Sequence, residues 1–243
     1  MKKIVLFLLL ALCWSKVDAQ CWKSASYGSG IKIDGTLWMW GDNTFGRVGD
    51  GTNAHRYSPV KIGMETWQYV NSTGYTTAAI KSDGTLWSWG NNSHGVLGDG
   101  TTTNRNTPAQ IGTANNWKSV VVDQHCLGIK SDGTLWAWGF NGSGQVGDGS
   151  NVDKYIPVQI GTDADWKLIS TSSGSSFAIK NNGTLWSWGF GASGNLGNGI
   201  IGSNGLPINT NIPIQVGTDS DWIAISNRHA LKSNGTIWAW GGE

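Results

Sequence analysis

Eight residues recur five times along this chain, and that recurrence limits the fold more than any other feature. The copy at residues 132–139 reads DGTLWAWG, and related strings occupy 34–41, 83–90, 182–189 and 234–241. Their glycines, Gly35, Gly84, Gly133, Gly183 and Gly235, follow one another at steps of 49, 49, 50 and 52 residues. A repeat of this length with strand chemistry inside it is the signature of a propeller or similar array. Asp-Gly or Asn-Gly ahead of a short apolar run signals a hairpin turn, because both residues tolerate positive φ. Within the strand that follows, side chains alternate between faces. Trp136 and Trp138 point to one side, and Leu135 and Ala137 to the other. The second position of that other face is Ser88, Ala137, Ser187 or Ala239, with Met39 the exception. A face of paired indoles opposite a face of leucine and a small residue suits sheets stacked like pages. Each buried indole is worth roughly 4–6 kcal/mol of gross stabilisation, so the ten paired rings read as core.

Three further strands accompany each hairpin strand. A tryptophan-led strand begins at Trp22, Trp67, Trp117, Trp166 and Trp222, and WQYV, WKSV and WKLI are its clearest copies. An Ala-Ile-Lys type strand (Ala79-Ile80-Lys81, Gly128-Ile129-Lys130, Ala178-Ile179-Lys180, Ala230-Leu231-Lys232) leads into the turn. A strand opening on Pro59, Pro108, Pro157 or Pro213 completes the unit, proline being tolerated at a strand's first residue. The expected architecture is an all-β propeller of about five four-stranded blades, with hairpin cores near 31–41, 80–90, 129–139, 179–189 and 231–241. Glycine-rich connections at 43–52, 92–101, 141–150 and 192–200 join the hairpin strand to the proline strand. They are not a phosphate cradle, because no helix pattern follows them.

Residues 1–19 read as a secretory leader, leaving 20–243 as the propeller repeats. Lys2 and Lys3 precede an apolar run at 4–14 that is too short to span a bilayer, and Val17-Asp18-Ala19 supplies a cleavage site. Cleavage removes Cys13 and leaves a nearly neutral mature chain with Cys21 and Cys126. That charge balance excludes a nucleic-acid binder working through bulk charge, and no membrane span is expected after cleavage. Cys126 stands where Thr77 stands one unit earlier, so a small buried filler is the preferred reading over pairing with Cys21.

These motifs resemble the regulator-of-chromosome-condensation repeat family. The strings at 125–139 and 141–149 (NGSGQVGDG) match its pattern closely, and the likeness covers about residues 21–241. The resemblance implies a β-propeller, typically of seven blades. Two departures stand out: only about five blades can be built, and no proline strand precedes the first unit. The expectation is therefore a partial sequence of a secreted bacterial-type member, incomplete relative to the seven-bladed ring.

No catalytic constellation is visible, and no cofactor or metal site is expected. The four histidines lack metal-ligand spacing, and no serine lies in a nucleophile elbow. Asp50, Asp99 and Asp148 recur at one loop position, with Asn198 in the fourth copy, as turn residues do. Arg56, Arg105 and Lys154 each lie three residues before a proline; they form either a basic row on one rim or, the preferred reading, charge pairs inside each blade. Residues that differ between copies are the better binding candidates: Tyr27, Tyr75, Phe140 and Phe190 near the turns, and the insertion at 200–212. The resemblance admits nucleotide exchange on a nuclear GTPase, light sensing, or secreted enzyme inhibition. The leader favours a secreted or cell-surface scaffold (extracellular or periplasmic) for an unknown protein partner, possessing an inhibitory option. A carbohydrate or cell-wall binding module, and a propeller-fold lyase or hydrolase, are the alternatives.

Overall fold

Each hairpin forms where the sequence places it, and the turn explains the threonine as well as the glycine. In the computed structural model, which describes residues 22–200 and 208–241, Asp132 Oδ1 accepts the Thr134 amide (3.0 Å) and hydroxyl (2.7 Å). Thr134 Oγ1 in turn accepts the Trp136 indole N–H at 2.9 Å. The same Asp/Asn–Thr–Trp relay recurs at Trp38, Trp87, Trp186 and Trp238. The leader 1–19 and Cys21 lie outside the described residues, as do 201–207 of the insertion.

Five antiparallel sheets follow one another as blades. The first holds β1 (Trp22–Ser26), β2 (Ser29–Lys32), β3 (Leu37–Gly41) and β4 (Arg56–Ile62) in that order. The second holds β5 (Trp67–Ser72), β6 (Thr76–Lys81), β7 (Leu86–Gly90) and β8 (Arg105–Gln110). The third holds β9 (Trp117–Val122), β10 (His125–Lys130), β11 (Leu135–Gly139) and β12 (Lys154–Gln159). The fourth holds β13 (Trp166–Ser172), β14 (Ser175–Lys180), β15 (Leu185–Gly189) and β16 (Thr210–Gln215). The fifth holds β17 (Trp222–Ser226), β18 (His229–Lys232) and β19 (Ile237–Ala239). The proline strand therefore closes the blade that precedes it in the chain. The first unit is complete, and among the described residues it is the fifth that has three strands.

Neighbouring blades stack as the alternation requires. Ala78, Ile80 and Leu86 of the second blade pack in one cluster with Trp117, Val120, Val122 and Trp138 of the third. Equivalent clusters join the first blade to the second, the third to the fourth and the fourth to the fifth. A hydrogen bond fixes each stack: Trp89, Trp138, Trp188 and Trp240 donate their indole N–H to the carbonyls of Arg47, Val96, Gln145 and Asn195, at 2.8–2.9 Å, in the connection of the blade before. Thr77, Cys126 and Ser176 donate to the first three of these carbonyls as well. Cys126 is buried in this role, as a small filler would be. Gly98 forms the floor beneath Trp138: its φ is +76°, and a Cβ there would lie 2.8 Å from the indole nitrogen.

The ten paired rings do not share one environment. Trp89, Trp138 and Trp188 are fully buried, whereas Trp87, Trp136 and Trp186 lie half-exposed, each under a lysine. The buried partner of each inner ring is the leading tryptophan of its own blade, such as Trp117, 6.0 Å from Trp138. At the ends of the array, Trp40 is partly exposed and Ile237 is 74% exposed, although its counterparts Leu86, Leu135 and Leu185 are buried. No helix among the described residues is long and apolar enough to cross a membrane.

Candidate interaction surface

The first strand of every blade is the innermost one. Strands β1, β5, β9, β13 and β17 all reach one central cavity of about 710 Å³, lined by hydroxyl and amide side chains such as Ser26, Asn71, Ser72, Thr73, Ser173 and Asn227. These residues stand at the carboxyl ends of the inner strands, so the cavity opens on the rim that carries the first turn of each blade. The glycine-rich connections begin on that same rim, because each leaves the end of a hairpin strand. The other rim carries the Asp-Gly turns.

A buried asparagine shapes each of the first three connections. Asn141 Oδ1 accepts the Val146 amide (2.9 Å), and its Nδ2 donates to the carbonyls of Ser150 (3.0 Å) and Val152 (3.1 Å). Asn43 and Asn92 make the same set of bonds. At the far end of each connection the loop acid meets the base ahead of the proline: Arg56 with Asp50, Arg105 with Asp99 at 2.5 Å, and Lys154 with Asp148 at 2.8 Å. Burial pushes the Asp99 carboxyl up, yet hydrogen bonds from Thr101 and then Arg105 outweigh it and hold the group below its ordinary value. Arg56, Arg105 and Lys154 are thus committed to pairs within their own blades.

The four aromatic candidates all lie on the turn-and-connection rim. Tyr27 and Tyr75 are 62% and 63% exposed, and Phe140 and Phe190 are half-buried. The structure groups them with residues that sequence reasoning did not select. Tyr75 meets Phe45 edge-on, with ring centroids 5.8 Å apart, and Phe140 meets His94 at 4.7 Å. Tyr27 covers the buried guanidinium of Arg47 at 5.2 Å. Phe190 stands apart from these pairs, beside Gly174. His94 also bonds Asp153 through Nδ1 at 2.8 Å, and Asp153 accepts the Asn141 amide. Phe45 and His94 share one place in the connection, two residues after the buried asparagine. That place is one of several that vary between copies, so the sequence alone does not single it out.

Between these pairs the rim is hollow. A cavity of about 480 Å³ is lined by Thr73, Tyr75, Asn91, His94, Asp123 and Gln124, among others. Asp123 also lines the central cavity, so the two spaces adjoin. Burial raises the Asp123 carboxyl above its ordinary value, although its Oδ2 accepts the Ser173 amide. The rim thus offers ring edges, hydroxyl and amide groups, and the Asp123 carboxyl around a recess. Among the described residues, His, Cys, Asp and Glu nowhere gather in threes as a metal site would need.

Just beneath this rim, His125 is fully buried. Its Nε2 lies 2.7 Å from Ser176 Oγ, whose hydroxyl proton goes to the Gln145 carbonyl, so Nε2 carries the imidazole proton. Nδ1 has no partner among the described residues, and burial lowers the pKa to about 3. The unfolded chain binds this proton near pH 6.5. Unfolding therefore takes up a proton between these two values, and stability falls with acidification by about 1.4 kcal/mol per pH unit. Above pH ~6.5 both states are neutral and the term vanishes. Urea unfolding at pH 7, 6 and 5 is expected to show this slope in the native chain and lose it in His125→Thr, threonine being the residue at the matching Thr76. An unchanged slope in the variant would remove His125 as its source.

The chain matches the family described as regulator of chromosome condensation (RCC1) repeat over residues 34–80, 83–128, 132–179 and 182–229, and a second description of the same repeat over 68–96. No curated protein sequence matches it. Among solved structures it is similar to human WBSCR16, with 21% identity and a TM-score of 0.71 over 82% of this chain and 52% of that one. It is also similar to Prp20p from Saccharomyces cerevisiae, with 21% identity and a TM-score of 0.70 over 80% and 49% of the two chains. A structure of Kap60 bound to yeast RCC1 (Prp20) gives 17% identity and a TM-score of 0.75 over 88% and 53%. The chain spans about half the length of these structures, and the likeness at this identity is one of fold.

Proposed function

The chain belongs to the regulator of chromosome condensation (RCC1) repeat family, and on that premise we propose that it is a secreted or cell-surface scaffold whose turn-and-connection rim holds a protein partner. The observation that carries this reading is the grouping of surface rings, exposed Tyr75 with half-buried Phe45 and exposed His94 with half-buried Phe140, on either side of one recess. Aromatic side chains on rigid supports dominate protein interfaces, because they bury large area at small entropic cost. Arg56, Arg105 and Lys154 of the same rim are paired with the loop acids of their own blades, so they supply an outer border and the rings supply the anchors. Secretion rests on the leader at residues 1–19. An inhibitory mode follows if the partner is an enzyme whose own cleft the rim covers.

The test is capture of a partner from culture supernatant by the immobilised full chain, with bound protein identified and its affinity measured. Tyr75→Ala and Phe140→Ala are expected to weaken binding by about tenfold or more each, the usual cost of removing an aromatic anchor. Free sugars and chelators are expected to leave it unchanged. Retention on a polysaccharide that is lost in Phe140→Ala would replace this reading with the carbohydrate one. Capture that survives both rim substitutions would move the partner off this rim.

A further inference from the structure

The repeats supply their own control for a lysine on the opposite rim. At the end of the second strand of each blade, a lysine ammonium sits against two indoles of its own blade. In three blades that ammonium also has a carboxylate; Lys32 of the first blade has none among the described residues, which leave out the slot positions 19 and 21 that would face it. Lys81 pairs with Glu65 at 3.1 Å, Lys180 with Asp163 and Asp165 at 2.5 and 3.2 Å, and Lys232 with Asp219 and Asp221 at 2.5 and 3.4 Å. Lys130 of the third blade lies 3.6 Å from the Trp136 centroid and 4.9 Å from that of Trp117, and among the described residues no carboxylate oxygen lies within 4.0 Å of its Nζ.

The register identifies what has changed. The Ser131 amide donates to the Asn116 carbonyl, as Asn181 does to Asp165 and Ser233 to Asp221. Asn116 therefore holds the place of Asp165 and Asp221, and Ala114 holds that of Asp163 and Asp219. The fourth and fifth blades carry acids at both places, the second carries Met64 and Thr66 there and takes its acid from Glu65 between them, and the third has a neutral residue at all three, with both indoles and the lysine kept. The nearby Asp132 is turned into its own hairpin, where Oδ1 accepts the Thr134 amide and hydroxyl.

We propose that the position beside Lys130, where residues 114–116 cross from the second blade to the third, is a binding site for a carboxylate supplied from outside the chain. The incoming group takes the place that aspartate fills on Lys180 and Lys232, bonded to the ammonium and walled by Trp136. Partial burial of the ammonium between indoles lowers its pKa and removes some of its water, which strengthens a charge-assisted bond to an anion. The ligand class is a small free carboxylate or the acidic side chain of a peptide. The site is on the rim of the Asp-Gly turns, so it stands or falls apart from the aromatic rim.

The experiment titrates the isotope-labelled full chain with succinate and, separately, with a short glutamate-rich peptide blocked at both ends, at constant ionic strength. The Trp136 indole N–H, held by Thr134 Oγ1, is the reporter. A saturable shift with either probe is expected, and which probe saturates identifies the source. Lys130→Met keeps the aliphatic stem over the indole and is expected to weaken binding about tenfold or more, as loss of a charge-assisted bond does. The double variant Ala114→Asp with Asn116→Asp rebuilds the slot of the fourth blade, should fold normally, and is expected to lose binding to the same extent. No saturable shift with either probe, a shift that chloride alone reproduces, or one that persists in Lys130→Met overturns the proposal.

Discussion

Trp138→Ala is expected to cost about 3–5 kcal/mol, the usual range for removing a buried tryptophan. The ring is fully buried, its edge faces Trp117 at 6.0 Å, and its N–H is bonded to the Val96 carbonyl at 2.9 Å. Gly98 lies against it and carries no side chain that could move into the gap. The loss falls on one junction, that between the second and third blades. In a repeat array, stability is a sum of unit terms and nearest-neighbour terms, so the variant should unfold in two steps where the native chain unfolds in one. Trp136→Ala is the control. It removes a ring from the same face of the same strand, but a half-exposed one, and is expected to cost roughly half as much. Calorimetry and urea titration monitored by the remaining indoles check both. Equal costs for the two variants would mean that the inner rings are not the principal cement between blades.

The second large effect belongs to a polar residue. Asn141→Ala strands the Val146 amide and the carbonyls of Ser150 and Val152, all of which bond to its side chain. A buried polar group left without a partner costs about 1–3 kcal/mol. With water able to reach the two carbonyls, a total of about 3 kcal/mol is expected. Hydrogen exchange gives the sharper readout: the Val146 amide should be strongly protected in the native chain and exchange quickly in the variant, while the Leu127 and Leu135 amides of the same blade change little. The fourth blade is a natural precedent, because Gly191 occupies the asparagine's place and the connection there carries the insertion. Continued protection of Val146 in the variant would show that glycine-imposed turns alone hold the loop.

The period of the repeat, the hairpin and the stacking of indoles on small residues could all be read before any coordinates, because each depends on residues close together in the chain. Two things could not. The proline strand stands midway between two tryptophan-led units, and strand chemistry alone does not say which neighbour it pairs with; the register of Gly139 with Lys154 and Trp136 with Gln159 decides for the preceding one. The alternation rule also gives the side of a sheet on which a ring lies, and not its distance from the rim. Trp136 and Trp138 are therefore equivalent in sequence and unequal in burial. On the rim, Tyr75 and Phe140 were visible as variable residues beside turns. Their companions Phe45 and His94 come from the connection of the preceding blade, and only the fold brings those segments together. In the sequence Lys130 is legible only as part of a strand, because its distinction lies in what Ala114 and Asn116 lack.

The acceptor that ties each blade to the next is a main-chain carbonyl, carried by arginine, valine, glutamine and asparagine in turn. A fastening of that kind makes no demand on the side chain at its own position. Four different side chains therefore stand at equivalent buried positions in this one chain while the joint between blades is the same.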